Sequence, residues 1–393
     1  MKLTKKLLAL ALCLILCLSL SVTAFATSGS GSVTVYDQLD KVGFSKTLIV
    51  ATGIDISAVD EFTLTFTAQD TDTSTAVTTP AISTQTLEVG EIKDGKAVAS
   101  KTIASILPAV ADYKHAGIFA YMVEETDISF ETYDDTNKIT KTLTCNPDKE
   151  SYLLRVYVLN DGDGLKFGGV TVERWVNGVT TDVKVNPTLE KISETDERKI
   201  SGFNFTNEYS EVLGTVPPDP TYHAYTVTKE IDDASEYGDK TLEFAVAIEI
   251  TLPELYKDGD IALASDSEGT LAVAADGKSA TVTGAMLKHG EFIAFSKFPA
   301  GSVIKVTETQ DSRYSGKING DFFAAMDYAT KGADVVATSS PITAKGAAVV
   351  MNSIEAPTPT GIEVNNLPFA LIAALALTGI LVFFVANRRK VED

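Results

Sequence analysis

From Val33 onward the chain alternates between apolar and polar positions with period two, the spacing of half-buried strands. Phe62-Thr-Leu-Thr-Phe-Thr alternates strictly, as do Leu154, Val156 and Val158 within 152–158. Residues 170–176 and 179–185 flank Asn177-Gly178, the pair that a type I′ hairpin turn requires. Pro217-Pro218-Asp219-Pro220 then interrupts the pattern as a stiff, extended linker. A second series follows at 224–229, 241–252, 279–283, 303–309 and 347–351. Helical periodicity is weak; 103–113 is the one candidate, and Pro108 opposes it. Strands at this spacing predict an all-β chain of two tandem β-sandwich domains, 30–213 and 219–355.

The two ends read differently. Lys2, Lys5 and Lys6 precede an apolar stretch, and Ala24-Phe25-Ala26 closes it with the small-x-small pattern of a signal peptidase site. Residues 1–26 are therefore expected to be a secretory signal peptide. At the other end, a Pro- and Thr-rich spacer over 356–366 leads into an uncharged apolar run, 367–387, followed by Arg388-Arg389-Lys390. A run of about 20 apolar residues suits a transmembrane helix. The basic cluster places 388–393 in the cytoplasm and everything before the run outside. A plain single-span anchor fits the apolar run and basic tail alone. Pro359-Thr360-Gly361 resembles the cell-wall sorting signal of Gram-positive surface proteins, in which a sortase cleaves between Thr and Gly and joins the Thr carboxyl to an amine. The Leu-Pro-x-Thr-Gly consensus is absent, and the tripeptide is closer to the Pro-Thr-Gly variants of some pilus subunits.

Composition narrows the function classes. Fifty-three acidic against 33 basic residues give a formal charge of −20, and loss of the signal-peptide lysines deepens it. Such a chain lacks the basic patch that neutralises phosphates, which argues against nucleic acid and suits an exposed surface protein. Of three cysteines, Cys13 and Cys17 leave with the signal, so Cys145 has no partner for an internal disulfide. The three histidines, His115, His223 and His289, show no metal-ligand spacing, and no cofactor is implied. Asn160-Asp-Gly-Asp-Gly164 fails the EF-hand spacing at Gly162 and reads better as a turn. No nucleophile elbow, phosphate loop or dinucleotide fingerprint occurs, so a conventional enzyme is not expected.

One pattern repeats. Lys46 lies in Phe44-Ser-Lys-Thr-Leu-Ile-Val, Glu125 ends Gly117-Ile-Phe-Ala-Tyr-Met-Val-Glu-Glu, and Asn207 lies in Phe203-Asn-Phe-Thr-Asn-Glu-Tyr. Their counterparts are Lys229 in Tyr225-Thr-Val-Thr-Lys, Glu308 in Gly301-Ser-Val-Ile-Lys-Val-Thr-Glu, and Asn352 in Val349-Val-Met-Asn. Lysine to glutamate spans 79 residues in both copies, whereas glutamate to asparagine spans 82 and 44, so the second domain lacks an insertion.

These strings resemble the FctA-like major pilins of Gram-positive bacteria, whose Ig-like or CnaB-like domains carry self-formed Lys–Asn isopeptide bonds. The resemblance implies bonds Lys46–Asn207 and Lys229–Asn352, with Glu125 and Glu308 as their catalysts. The second domain departs from the pattern at Ile304, Lys305 and Ser353. The physics is consistent: burial lowers a lysine pKa and frees a nucleophilic amine, while a protonated glutamate polarises the carboxamide. By resemblance the chain is expected to be the shaft subunit of a sortase-assembled pilus, displayed at the cell wall. Its partners would be the sortase, neighbouring pilin subunits, peptidoglycan, and a host or environmental surface. Thr360 would be joined to a lysine near the end of the first domain; Lys199 is favoured, with Lys184 and Lys191 as rivals. A wall-anchored adhesin displayed as a single chain is the alternative.

Overall fold

The computed structural model describes residues 34–355 and 367–389, apart from 58, 60, 70–78, 127, 146, 148, 177–178 and 233–236. The expected signal peptide and the Pro359-Thr360-Gly361 tripeptide lie outside the described residues.

The first unit contains β1 (Gly43–Val50), β2 (Glu61–Gln69), β3 (Gln85–Glu88), β4 (Lys96–Thr102), β5 (Gly117–Glu125), β6 (Phe130–Asp134) and β7 (Ile139–Thr144). It continues with β8 (Glu150–Asp161), β9 (Gly164–Val176), β10 (Val179–Val185), β11 (Glu190–Ser193), β12 (Asp196–Ile200) and β13 (Asn204–Leu213). The second unit contains β14 (Tyr225–Ile231), β15 (Phe244–Thr251), β16 (Ala262–Leu263), β17 (Thr270–Val273) and β18 (Ser279–Leu287). It closes with β19 (Phe292–Pro299), β20 (Val303–Glu308), β21 (Ser315–Gly320), β22 (Val335–Thr338) and β23 (Gly346–Ser353).

In each unit the first strand pairs in parallel with the last: β1 with β13, and β14 with β23. A six-stranded sheet, β10-β9-β8-β5-β2-β3, covers one face of the first pair. A five-stranded sheet, β17-β18-β15-β20-β22, covers the second. The strand pattern of the sequence is therefore seen as an all-β architecture. The extra spacing between glutamate and asparagine in the first unit is filled mainly by the long β8–β9–β10 meander.

The units are joined more closely than a proline linker suggests. β13 runs past Asn207 with Tyr209, Glu211 and Leu213 all facing inward and buried. Its end pairs with β19 through Val212↔Pro299 and Leu213↔Phe298, which makes one ten-stranded sheet across both units. The pairing satisfies backbone groups that an edge would leave open. One apolar cluster crosses with it, from Leu48, Val50 and Phe62 to Tyr225, Val246 and Phe295.

Residues 103–113 form no α-helix. Two 3-10 turns, Ile103–Ser105 and Val110–Asp112, flank Pro108, whose ring obstructs a continuous helix. The Asn160–Gly164 segment is the tip of the β8–β9 hairpin, with Gly162 at φ +62°, and no acidic, cysteine or histidine cluster that could hold a metal occurs among the described residues. Near the C-terminus α1 (Leu367–Arg389) is a 23-residue helix, with side chains described from Leu371 to Phe384 and all exposed. Among the described residues no helix is long and apolar enough to cross a membrane, so the span at 367–387 stays an expectation from sequence.

Candidate functional site

Each residue of the repeated pattern sits where the strand alternation calls for an apolar side chain. On β1, Phe44, Leu48 and Val50 face the core, and Lys46 occupies the inward position between them at 0% exposure. Lys229 does the same between Val227 and Ile231, also at 0%. Asn207 follows Phe203 and Phe205, Asn352 follows Ala348 and Val350, and both asparagines are fully buried. On the opposing sheets, Glu125 follows Tyr121 and Val123, and Glu308 follows Ile304 and Val306. The pleat therefore delivers three polar groups into each apolar interior.

The registers of the two units coincide. Leu48, two residues after Lys46, faces Asn207, and Ile231, two after Lys229, faces Asn352. Within each opposing sheet, Leu64 pairs with Glu125 and Val246 pairs with Glu308 on the neighbouring strand. Two residues before those partners stand Phe62 and Phe244, whose rings lie 4.4 Å from Lys46 Nζ and 4.4 Å from Lys229 Nζ. The sequence reading did not single out these phenylalanines. Their spacing from the lysines, 16 and 15 residues, is a signal that only the register makes meaningful.

Contacts within each triad are short. Lys46 Nζ lies 2.8 Å from Glu125 Oε1, with both side chains fully buried, and Asn207 Nδ2 donates to the same oxygen at 3.3 Å. In the second unit Lys229 Nζ lies 2.9 Å from Glu308 Oε1, to which Asn352 Nδ2 donates at 3.0 Å. Desolvation outweighs the adjacent carboxylate and lowers both lysines to about 8. Burial raises Glu308, opposed by the Lys229 charge. Burial therefore favours the uncharged form of both lysines and of Glu308.

A fourth group touches each asparagine, in a contact that the sequence did not indicate. Asn207 Nδ2 lies 3.3 Å from Cys145 Sγ, and burial beside Glu125 pushes that thiol up to about 11. Gln310 Nε2 donates to Asn352 Oδ1 at 3.0 Å and also to Glu308.

The three candidate acceptor lysines lie outside these interiors, and all are exposed. Lys184 on β10 pairs with Glu173. Lys191 on β11 faces Lys199 on β12 across a two-stranded hairpin. Arg198 clamps that hairpin to the edge of β4, donating to the Lys96 and Lys93 carbonyls at 2.5 and 3.1 Å. It also holds the buried Asp196 carboxyl down to about 2. Lys191 pairs with Glu197 at 2.6 Å, whereas Lys199 makes no ion pair among the described residues.

A family model described as a domain of unknown function (DUF7601) matches residues 223–352, a span that contains the complete second triad and ends on Asn352. No curated protein matches the chain. Similar solved structures include the major pilin from Streptococcus pyogenes, at 14% identity and TM-score 0.27, covering 80% of this chain and 98% of that one. The T-13 major pilin of the same organism is 15% identical at TM-score 0.25, covering 80% and 97%. The pilus adhesin SpaC from Lactobacillus rhamnosus GG is 14% identical at TM-score 0.20, covering 81% and 32%. At TM-scores this low the likeness says nothing of function, and the chain's own side chains have to supply it.

Proposed function

We propose that each triad forms an amide between lysine and asparagine, and that the chain is the structural subunit of a sortase-assembled, cell-wall-anchored pilus shaft. The observation that carries the reading is the coincidence of two buried Lys–Glu–Asn sets at the same register offsets, each joining the first strand of its unit to the last. A buried ion pair is weak evidence for stability alone. Its repetition with a fully buried asparagine in contact favours chemistry. The neutral lysine Nζ attacks the asparagine Cγ, a C–N bond forms, and the Cγ–Nδ2 bond breaks. The protonated glutamate gives its proton to Nδ2, which leaves as ammonia, and takes up the proton that the amine releases, so the carboxyl ends as it began. No oxidant or cofactor is needed, and turnover is single and intramolecular, so the protein is not an enzyme toward other substrates.

Tying parallel first and last strands suits a subunit pulled from its two ends, because separating those strands would then require breaking a covalent bond. Secretion through the signal at 1–26, membrane retention by 367–387 and sortase cleavage after Thr360 complete the scheme. Peptidoglycan, or a lysine of the next subunit, is then the acceptor. Lys199 is the preferred lysine because it is exposed, makes no ion pair among the described residues, and sits on a hairpin fixed by Arg198. Peptide mapping tests the triads: a cross-linked peptide joining Lys46 to Asn207 supports the reading, and two separate linear peptides refute it. Electrophoresis of wall extracts separates the two modes of display, a ladder of high-mass species for a shaft and a single band for an adhesin.

A further inference from the structure

The second triad contains a hydrogen-bond donor aimed at the atom where charge would develop. Gln310 lies two residues beyond Glu308, just past the end of β20, and its side chain meets that of Glu308. Its Nε2 meets two acceptors, Asn352 Oδ1 at 3.0 Å and Glu308 Oε2. Those two oxygens fix the amide orientation, since Oε1 in that place would face oxygen on both sides. Oε1 itself is buried without a hydrogen-bond partner among the described residues. The space for this side chain is made by Gly316 on β21, which faces Asn352 in register. A Cβ at Gly316 would stand 2.2 Å from Gln310 Nε2 and 2.8 Å from Asn352 Oδ1.

We propose that Gln310 is a catalytic residue of the second site, its Nε2–H donating to Asn352 Oδ1 as the tetrahedral oxyanion forms. The inference rests on the amide-forming reading above. When Lys229 Nζ adds to Cγ, the carbonyl electron pair moves onto Oδ1, and a fixed donor at hydrogen-bond distance stabilises that charge without reorganisation. Its collapse restores the carbonyl and expels ammonia, so Gln310 is unchanged at the end. The first site differs: Cys145 contacts the leaving nitrogen of Asn207 rather than the oxygen. The two bonds should therefore depend on different fourth groups.

The test uses the full-length chain, expressed and sampled at intervals after protein synthesis is stopped, with both cross-linked peptide pairs followed by mass spectrometry. Gln310→Met keeps the length of the side chain and removes the donor. It should slow appearance of the Lys229–Asn352 pair by roughly 100-fold or more and leave the Lys46–Asn207 pair at the wild-type rate. Gly316→Ala, which displaces the donor, should slow the same pair. An unchanged rate in Gln310→Met overturns the proposal. Melting of Lys229→Ala is compared with that of Lys229→Ala/Gln310→Met; a lower melting temperature in the double variant would assign Gln310 to folding and also overturn it. A wild-type chain without the Lys229–Asn352 pair would fail at the earlier step and remove the amide-forming reading itself.

Discussion

Replacing Asn207 by alanine removes the proposed electrophile of the first site while leaving Lys46 beside Glu125. A bond from Lys46 to Asn207 closes a loop of about 160 residues, and the chain-entropy relation for cross-links then gives about 5 kcal/mol of stabilisation through the unfolded state. Losing the asparagine's own buried hydrogen bond adds only about 1–3 kcal/mol. For a folding unit of this size, about 5 kcal/mol corresponds to a fall in melting temperature of roughly 10–20 °C. The same sample should weigh less than its sequence mass by one ammonia, from the second site alone, where the wild type lacks two. Calorimetry and intact-mass spectrometry on one preparation give both readouts. A variant that keeps the wild-type mass deficit, or melts within a few degrees of the wild type, would refute the reasoning.

Other outcomes follow from separate parts of the chain. The amine fraction of a lysine lowered to about 8 is about 10% at pH 7 and half at pH 8. In chain made by cell-free synthesis and folded at fixed pH, bond formation should therefore rise about tenfold from pH 6 to pH 7 and flatten above pH 8; a rate still rising tenfold per unit beyond pH 9 would mean that the lysines are not depressed. In Asn352→Ala, which leaves Lys229 unlinked, the folded lysine loses its proton near pH 8 while the unfolded one holds it to about 10.4. Native stability should therefore increase as pH rises through that window, and a melting temperature that falls across it would contradict the assignment. Thr360→Ala should leave the chain in the membrane fraction, and undiminished wall attachment would remove the sortase reading. Lys199→Ala should abolish the high-mass ladder while monomers still reach the wall, whereas a normal ladder would shift the role to Lys191 or Lys184.

Much of the site was legible because the strands alternate. Once Phe44, Leu48 and Val50 read as the inward face of one strand, Lys46 is out of place by composition, and the same holds for Glu125 after Tyr121 and Val123. The equal lysine–glutamate spacing then exposed the second copy. That Phe62, Phe244, Gln310 and Cys145 belong to the sites stayed hidden for a different reason. Phenylalanine on an inward strand face is ordinary core, and the contacts of Gln310 and Cys145 with the asparagines join positions 42 and 62 residues apart. β19 escaped notice because Phe292–Pro299 is buried on both faces for part of its length and does not alternate. The sheet shared between the units was equally silent. It depends on where β13 ends relative to β19, a register that no local pattern encodes.

The central claim is covalent, and intact mass tests it most directly. The secreted part of the wild-type chain, produced without a sortase so that it stays a free chain, should weigh less than its sequence mass by two molecules of ammonia. Glu125→Ala should recover one of them with Lys46 and Asn207 still in place, because the carboxyl moves a proton and is not itself joined. A wild-type mass equal to that sequence mass would contradict the account at both sites.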